Sequence, residues 1–234
     1  MSIAESRSGR RARPRGASNQ ARFDEVIDAA SEVFREKGYL AATLQDIAGR
    51  LGMLKGSLYY YIDSKEDLLY EILRRAHLQG LEYIQQGTAT GATDPLARIT
   101  TLIRHWLGGL PSLDPALRIE ALQYDHRYLS PSRRAEILAM RRQITRSFEE
   151  VIAAGVRDGS FHPGIDPHTA AATVLAVVNN HRHLYRPGGP LTWQQLTDWI
   201  VGLFVGGLTH GPEPSADSHD DSGDVGRQDE APAS

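Results

Sequence analysis

Apolar residues recur along this chain at helical spacing. Phe23, Val26, Ile27, Ala30, Val33 and Phe34 fall at i, i+3, i+4 and i+7 and form one apolar face. Gly38 after Lys37 supplies a carboxy-terminal stop for that helix. A short helix over 44–51 follows, with Thr43 as N-cap and Asp46 three residues on in a capping-box-like start, and Gly52 closes it. A second short segment covers 55–62. Ser64 then caps a longer helix whose buried stripe is Leu68, Leu69, Ile72 and Leu73. Beyond Gly87, a Gly, Thr and Ala loop leads to Asp94 and Pro95. Further helices are predicted at 95–109, 115–129, 133–158, 167–184 and 192–209, divided by Pro111, Pro131, Pro163 and the stretch Pro187 to Pro190. Strand-like alternation with hairpin turns is missing and no repeat is found, so the predicted fold class is all-α.

The stretch from Thr43 to Ile62 has helix-turn-helix form: two short helices meet at a tight turn at Gly52, and the second begins with small or polar residues. A helix enters the major groove only if its outward side chains at the leading end allow close approach. Lys55, Gly56 and Ser57 meet that requirement, with Lys able to donate to guanine edges or phosphate. Tyr59 and Tyr60 offer hydroxyls to phosphate oxygens, and Thr43, Gln45 and Lys65 lie at helix starts facing the same partner. Three consecutive tyrosines cannot all face outward, and Tyr61 is the one assigned to packing. Ile47, Ala48, Leu51, Leu58 and Ile62 form the expected small core.

Residues 23–69 resemble the DNA-binding domain of TetR/AcrR-family regulators. The matching positions are Ala29, Ala30, Phe34, Gly38, Tyr39, Thr43, Asp46, Ile47, Ala48, Gly52, Gly56, Ser57, Leu58, Tyr59, Ser64, Lys65, Glu66, Asp67 and Leu68. Tyr61 and Ile62 depart from the His-Phe pair usual in the family. The resemblance implies a homodimeric, all-helical protein, usually a repressor, that binds a palindromic operator in double-stranded DNA and releases it when a small-molecule effector enters the larger carboxy-terminal domain. The architecture expected is thus a three-helix DNA-binding domain followed by a larger helical ligand-binding and dimerisation domain. Gly159, Ser160, Phe161, His162 and Pro163, with Tyr185 to Thr192, are similar to a subgroup that includes KstR-type regulators of steroid-ring catabolism, several of which respond to acyl-CoA thioesters. The stretch Asn179 to His183 departs from that subgroup's aromatic-rich sequence.

Charge changes the picture of the ends. The net charge of −3 looks unsuited to a DNA binder until it is divided along the chain. Arg7, Arg10, Arg11, Arg13, Arg15 and Arg22 face only Glu5 in residues 1–22, whereas residues 211–234 carry seven acidic groups against Arg227. The boundaries expected are a disordered basic arm at 1–19, the helix-turn-helix at 20–66, the helical ligand-binding and dimerisation domain at 67–210, and a disordered acidic tail at 211–234. The arm reads equally as a solubilising tail or as a minor-groove and phosphate contact.

No apolar run approaches the roughly 18 residues of a spanning helix, and no apolar stretch follows the basic amino terminus as in a secretory signal. A cytoplasmic protein, associated with the nucleoid when on DNA, is expected. The chain has no cysteine, which excludes disulfides and thiolate-bound metal. His181 and His183 at i, i+2 do not share a helix face, so no metal site and no cofactor are expected. Signatures of nucleophilic, zinc-dependent or phosphate-loop enzymes do not occur. The competing class is a DNA-binding protein with an architectural or division-linked role that needs no effector. For an effector site the candidates are His105, Trp106, Tyr124, Asp125, Tyr128, Asn179, Arg182 and His183, with ordinary core packing as the alternative for each aromatic. The apolar stripe Leu196, Ile200, Leu203 and Phe204, together with 170–178, suits a dimer interface of packed helices.

Overall fold

The computed structural model describes residues 17–88, 94–109, 125–179, 184–185 and 188–211. The ends at 1–16 and 212–234, the first part of the helix expected at 115–129 and the segment 180–183 lie outside them. Among the described residues the regular structure is entirely helical: α1 (Ala17–Lys37), α2 (Leu44–Arg50), α3 (Lys55–Leu58), α4 (Lys65–Thr88), α5 (Pro95–Gly109), a 3-10 turn (Asp125–Tyr128), α6 (Pro131–Asp158), α7 (Pro167–Asn179) and α8 (Trp193–His210).

α1 begins at Ala17, inside the segment expected to be disordered. Local chemistry accounts for the added turns. Gln20 donates to Asp24 at 3.0 Å, Arg22 pairs with Glu25, and Asn19 Nδ2 donates to the Tyr60 hydroxyl at 3.2 Å. Gly38, at φ +76°, takes the left-handed conformation that ends the helix, and its N–H donates to the Phe34 carbonyl at 2.8 Å. α3 is shorter than the 55–62 expected. After Leu58 the chain continues in turns, with Tyr61 and Ile62 N–H groups both donating to the Leu58 carbonyl. Three aromatics and a β-branched residue in succession lose side-chain freedom in a helix, and Tyr61 and Ile62 gain more by packing inward.

Two apolar clusters organise the molecule. The first gathers α1 residues Val26, Ile27, Val33 and Phe34 with Ile47, Ala48, Leu58 and Ile62, and with Leu68, Leu69, Ile72 and Leu73 of α4. It extends past residue 66 and also takes in Leu129, after the 3-10 turn, and Ile137 of α6. The second collects Ile84, Ile99, Ile103, Ile144, Phe148, Val151, Ile152, Val174, Val178, Leu196 and Ile200 from α4 to α8. Thus α4 and α6 each run through both clusters, and neither core ends where the other begins. The architecture is a small amino-terminal helix-turn-helix unit joined to a larger helical one.

Candidate nucleic-acid interface

The helix-turn-helix is fixed from below by charge and caps. Arg50 on α2 donates to Glu32 at 2.8 Å and to Glu36 of α1, and these carboxylates push its pKa up. Thr43 caps α2: its hydroxyl accepts from the Asp46 N–H at 3.1 Å, while Asp46 accepts the Thr43 N–H at 2.9 Å. The Thr43 hydroxyl also donates to Asp46 at 2.8 Å. Lys37 donates to the same carboxylate at 2.7 Å, and with Thr43 it holds the Asp46 pKa down at about 2. Gly52, at φ +62°, makes the turn into α3.

That scaffold presents Lys55, Gly56 and Ser57 to solvent on the leading end of α3, while Leu58 behind them is wholly buried. A Cβ built on Gly56 would meet nothing within 4 Å, so the backbone there is open to close approach. Tyr59 and Tyr60 are 51% and 66% exposed, and Tyr61 lies edge-on to Tyr60 while packing against the first core. Gln45 is exposed on α2. These side chains share the outer surface of the α2–α3 unit.

Two residues named as DNA contacts from sequence are engaged internally. Lys65 directs its ammonium to the carbonyls of Tyr39 (2.8 Å), Ala42 (2.9 Å) and Leu40 (3.3 Å), and lies 4.4 Å from the Tyr39 ring centre. Its three donors are thereby used, and burial lowers its pKa. It ties α4 to the α1–α2 turn. Thr43 has both its donors on Asp46, so a phosphate would have to displace a cap. Spacing indicates the Thr43 capping box with Asp46 but not the engagement of Lys65, because the carbonyls that satisfy it come from 23 to 26 residues away.

Among the described residues the effector candidates do not form one cluster. Tyr124, Arg182 and His183 lie outside the described residues. Tyr128 stacks on Tyr39 with ring centres 5.3 Å apart and belongs to the helix-turn-helix side. Asp125 is buried in the same 3-10 turn, where loss of hydration pushes its carboxyl pKa up. Asn179 is half-buried at the end of α7. His105 and Trp106 face α4 across a polar seam. Gln79 donates to the Tyr83 hydroxyl at 3.3 Å, Tyr83 meets the His105 ring edge-on at 5.9 Å, and His105 pairs with Gln86 at 3.2 Å. Trp106 covers Gly80, and both its Nε1 and the Gln79 Oε1 are buried without a hydrogen-bond partner. Sequence reading missed Gln79 and Tyr83. Their signal was the i, i+4, i+7 run of polar residues with Gln86 on an otherwise amphipathic helix.

Among the described residues, hydrogen-bonded links between α4 and the start of α6 also join the units. Arg133 of α6 pairs with Asp67 and lies 3.4 Å from Glu66, and Glu66 also accepts the Ser130 N–H at 2.8 Å. Tyr70 donates to Glu136 at 2.6 Å, and burial together with this bond raises its pKa to about 12.

Comparison with known proteins agrees with this arrangement. Residues 26–72 match the family model for bacterial regulatory proteins of the tetR family, and residues 92–208 match that for the tetracyclin repressor-like carboxy-terminal domain. The HTH-type transcriptional repressor KstR2 of Rhodococcus jostii is 30% identical over 82% of this chain and 93% of its own. Its namesake from Mycolicibacterium smegmatis is 29% identical over 81% and 91%. The structure of the ketosteroid regulator KstR2 of Mycobacterium tuberculosis superposes with a TM-score of 0.71 at 28% identity, covering 85% of this chain and 99% of that one. AibR in complex with isovaleryl coenzyme A and operator DNA superposes at 0.69 and 25% identity, covering 78% and 97%. These relatives are regulators, not enzymes. With one family model on the helix-turn-helix and another on half of the chain beyond it, this protein belongs to the TetR family of bacterial DNA-binding transcription regulators.

Proposed function

We propose that the protein is a homodimeric repressor that holds a palindromic operator through residues 55–60 and releases it when an acyl-CoA thioester enters the carboxy-terminal unit. The observation that carries the reading is the exposed leading face of α3, where Lys55, Gly56 and Ser57 stand clear of the core while Leu58 anchors them from behind. Gln45, Tyr59 and Tyr60 extend that face toward flanking phosphates. Thr43 and Lys65 contribute by holding the helices.

The homodimer is supported by the outer surface of α7 and α8. Trp199 and Leu203 are 59% and 56% exposed, and a groove of about 480 Å³ beside them is lined by Ile165, Thr169, Leu203, Phe204 and Leu208. An apolar surface of this kind is stable in water when a second copy covers it. Two half-sites also add their affinities, which one short helix-turn-helix needs.

We assign the effector to the α4–α5 seam. The unpartnered Trp106 Nε1 is a donor suited to a thioester or amide carbonyl, and the Gln79 Oε1 an acceptor for an amide or hydroxyl; each is costly to bury unsatisfied. The isovaleryl coenzyme A bound by AibR supports the same ligand class. Because α4 carries this seam at one end and the helix-turn-helix core at the other, a ligand that prefers a different α4 position shifts the population away from the DNA-binding form. Selection of bound duplexes from a randomised library tests the operator reading. A two-fold symmetric sequence bound by two protomers is expected, and an asymmetric site filled by one protomer would overturn it.

A further inference from the structure

Leu54 is the residue of the reading element that its fold does not explain. It occupies the N-cap of α3, where Ser, Thr, Asn or Asp is preferred because an oxygen there can accept an orphan N–H. Leucine makes no such bond. It is 80% exposed, the highest value among the exposed large hydrophobics of the described residues, although Met53 before it and Leu58 after it both pack inward. A single exposed leucine is ordinary on a protein surface. This one adjoins Lys55, Gly56 and Ser57, and the leading end of such a helix is the part that meets base edges. In the major groove, the apolar feature that distinguishes one base pair from the other three is the thymine 5-methyl group.

We propose that Leu54 reads a thymine methyl group in each operator half-site, beside the polar contacts of Lys55 and Ser57. The inference rests on α3 entering the major groove. A side chain that is uncapped, apolar and solvated in the free protein loses water from its surface when it meets the methyl group, and so adds affinity at one base pair only. Leu54 is therefore a specificity-determining residue, whereas the phosphate contacts set affinity without regard to sequence.

The test starts from duplexes selected by the wild-type protein from a randomised library, with uracil then substituted for each thymine in turn, which deletes one methyl group and leaves the pairing edge intact. The wild type is expected to bind about fourfold more weakly for each half-site in which the thymine is replaced, and so about 16-fold more weakly when both are, as follows from the transfer free energy of a single methyl-sized group. Leu54→Ala should lose a similar factor on the thymine duplex and be indifferent to uracil at that position. Leu54→Ser, whose hydroxyl can restore the missing cap, should fold at least as well and show the same indifference. Wild-type binding that is insensitive to uracil at every thymine would overturn the proposal, as would equal sensitivity in Leu54→Ala. Failure of the library to yield any enriched sequence would instead overturn the groove reading on which the proposal rests.

Discussion

At the residue scale, two lysines ten positions apart separate binding from folding. Lys55 is exposed on α3 and Lys65 is enclosed by three carbonyls. Lys55→Ala is expected to leave the Tm unchanged and to reduce the slope of log affinity against log salt by roughly one per protomer, as the loss of one phosphate or base-edge cation requires. Lys65→Met should do the reverse in the apo protein, lowering stability by about 2 kcal/mol in a denaturant titration, because three backbone oxygens lose their charged donor. A second measurable group at this scale is His77, buried on α4, whose ring N–H donates to the Leu73 carbonyl at 2.6 Å. Burial, with Arg141 and His126 facing it from α6 and the 3-10 turn, holds its pKa below the usual 6.5. The unfolded chain therefore takes up the proton first as pH falls, and stability declines below pH 6.5. Replacing it by Gln should remove up to about 1.4 kcal/mol per pH unit of that decline, read as a flatter Tm against pH than the wild type shows. An identical pH profile would contradict the assignment. The site residues legible in sequence were those whose role depends on outward position along one short helix, Lys55 to Ser57. Thr43 was legible as a cap because its partner Asp46 lies three residues on, whereas Lys65 is claimed by carbonyls that only folding brings near.

At the element scale, hydrophobic period and punctuation located the helices well. α5 begins and ends at the expected residues, since Asp94 and Pro95 open it and its glycines close it. α3 and the start of α1 were misjudged because aromatic packing and exposed ion pairs decide them, and neither leaves a period in the sequence. Packing between elements was less legible still. Gly155 in α6 is an example: a Cβ there would lie 2.1 Å from Cδ2 of Phe161, which folds back over the helix as its N–H donates to the Gly155 carbonyl. Gly155→Ala should therefore destabilise the protein by about 1–3 kcal/mol despite the better helix propensity of alanine, with a lowered midpoint in chemical denaturation as the readout. No loss of stability would mean that Phe161 does not close the α6 end as described.

At the scale of the whole molecule, the two cores share α4 and α6, so the helix-turn-helix cannot shift without disturbing Tyr39 against Tyr128 and Arg133 against Glu66 and Asp67. That sharing was hidden in the sequence, where the expected boundary falls at residue 66 although the helix that follows runs through both cores. The proposed dimer is tested at this scale as well. Placing charge on the apolar surface of α8, as in Trp199→Glu with Leu203→Glu, should give a monomer in analytical ultracentrifugation that keeps its helical content and loses most of its DNA affinity. A charged variant that remains dimeric would move the interface elsewhere. The central claim is that effector and operator compete through α4. Fluorescence anisotropy of a labelled, selected duplex, titrated with protein in the absence and presence of acyl-CoA thioesters of increasing acyl length, measures it directly. At least one thioester is predicted to weaken operator binding by roughly 5-fold to 150-fold, the range of an ordinary allosteric coupling. Operator affinity unchanged by every thioester would contradict the account.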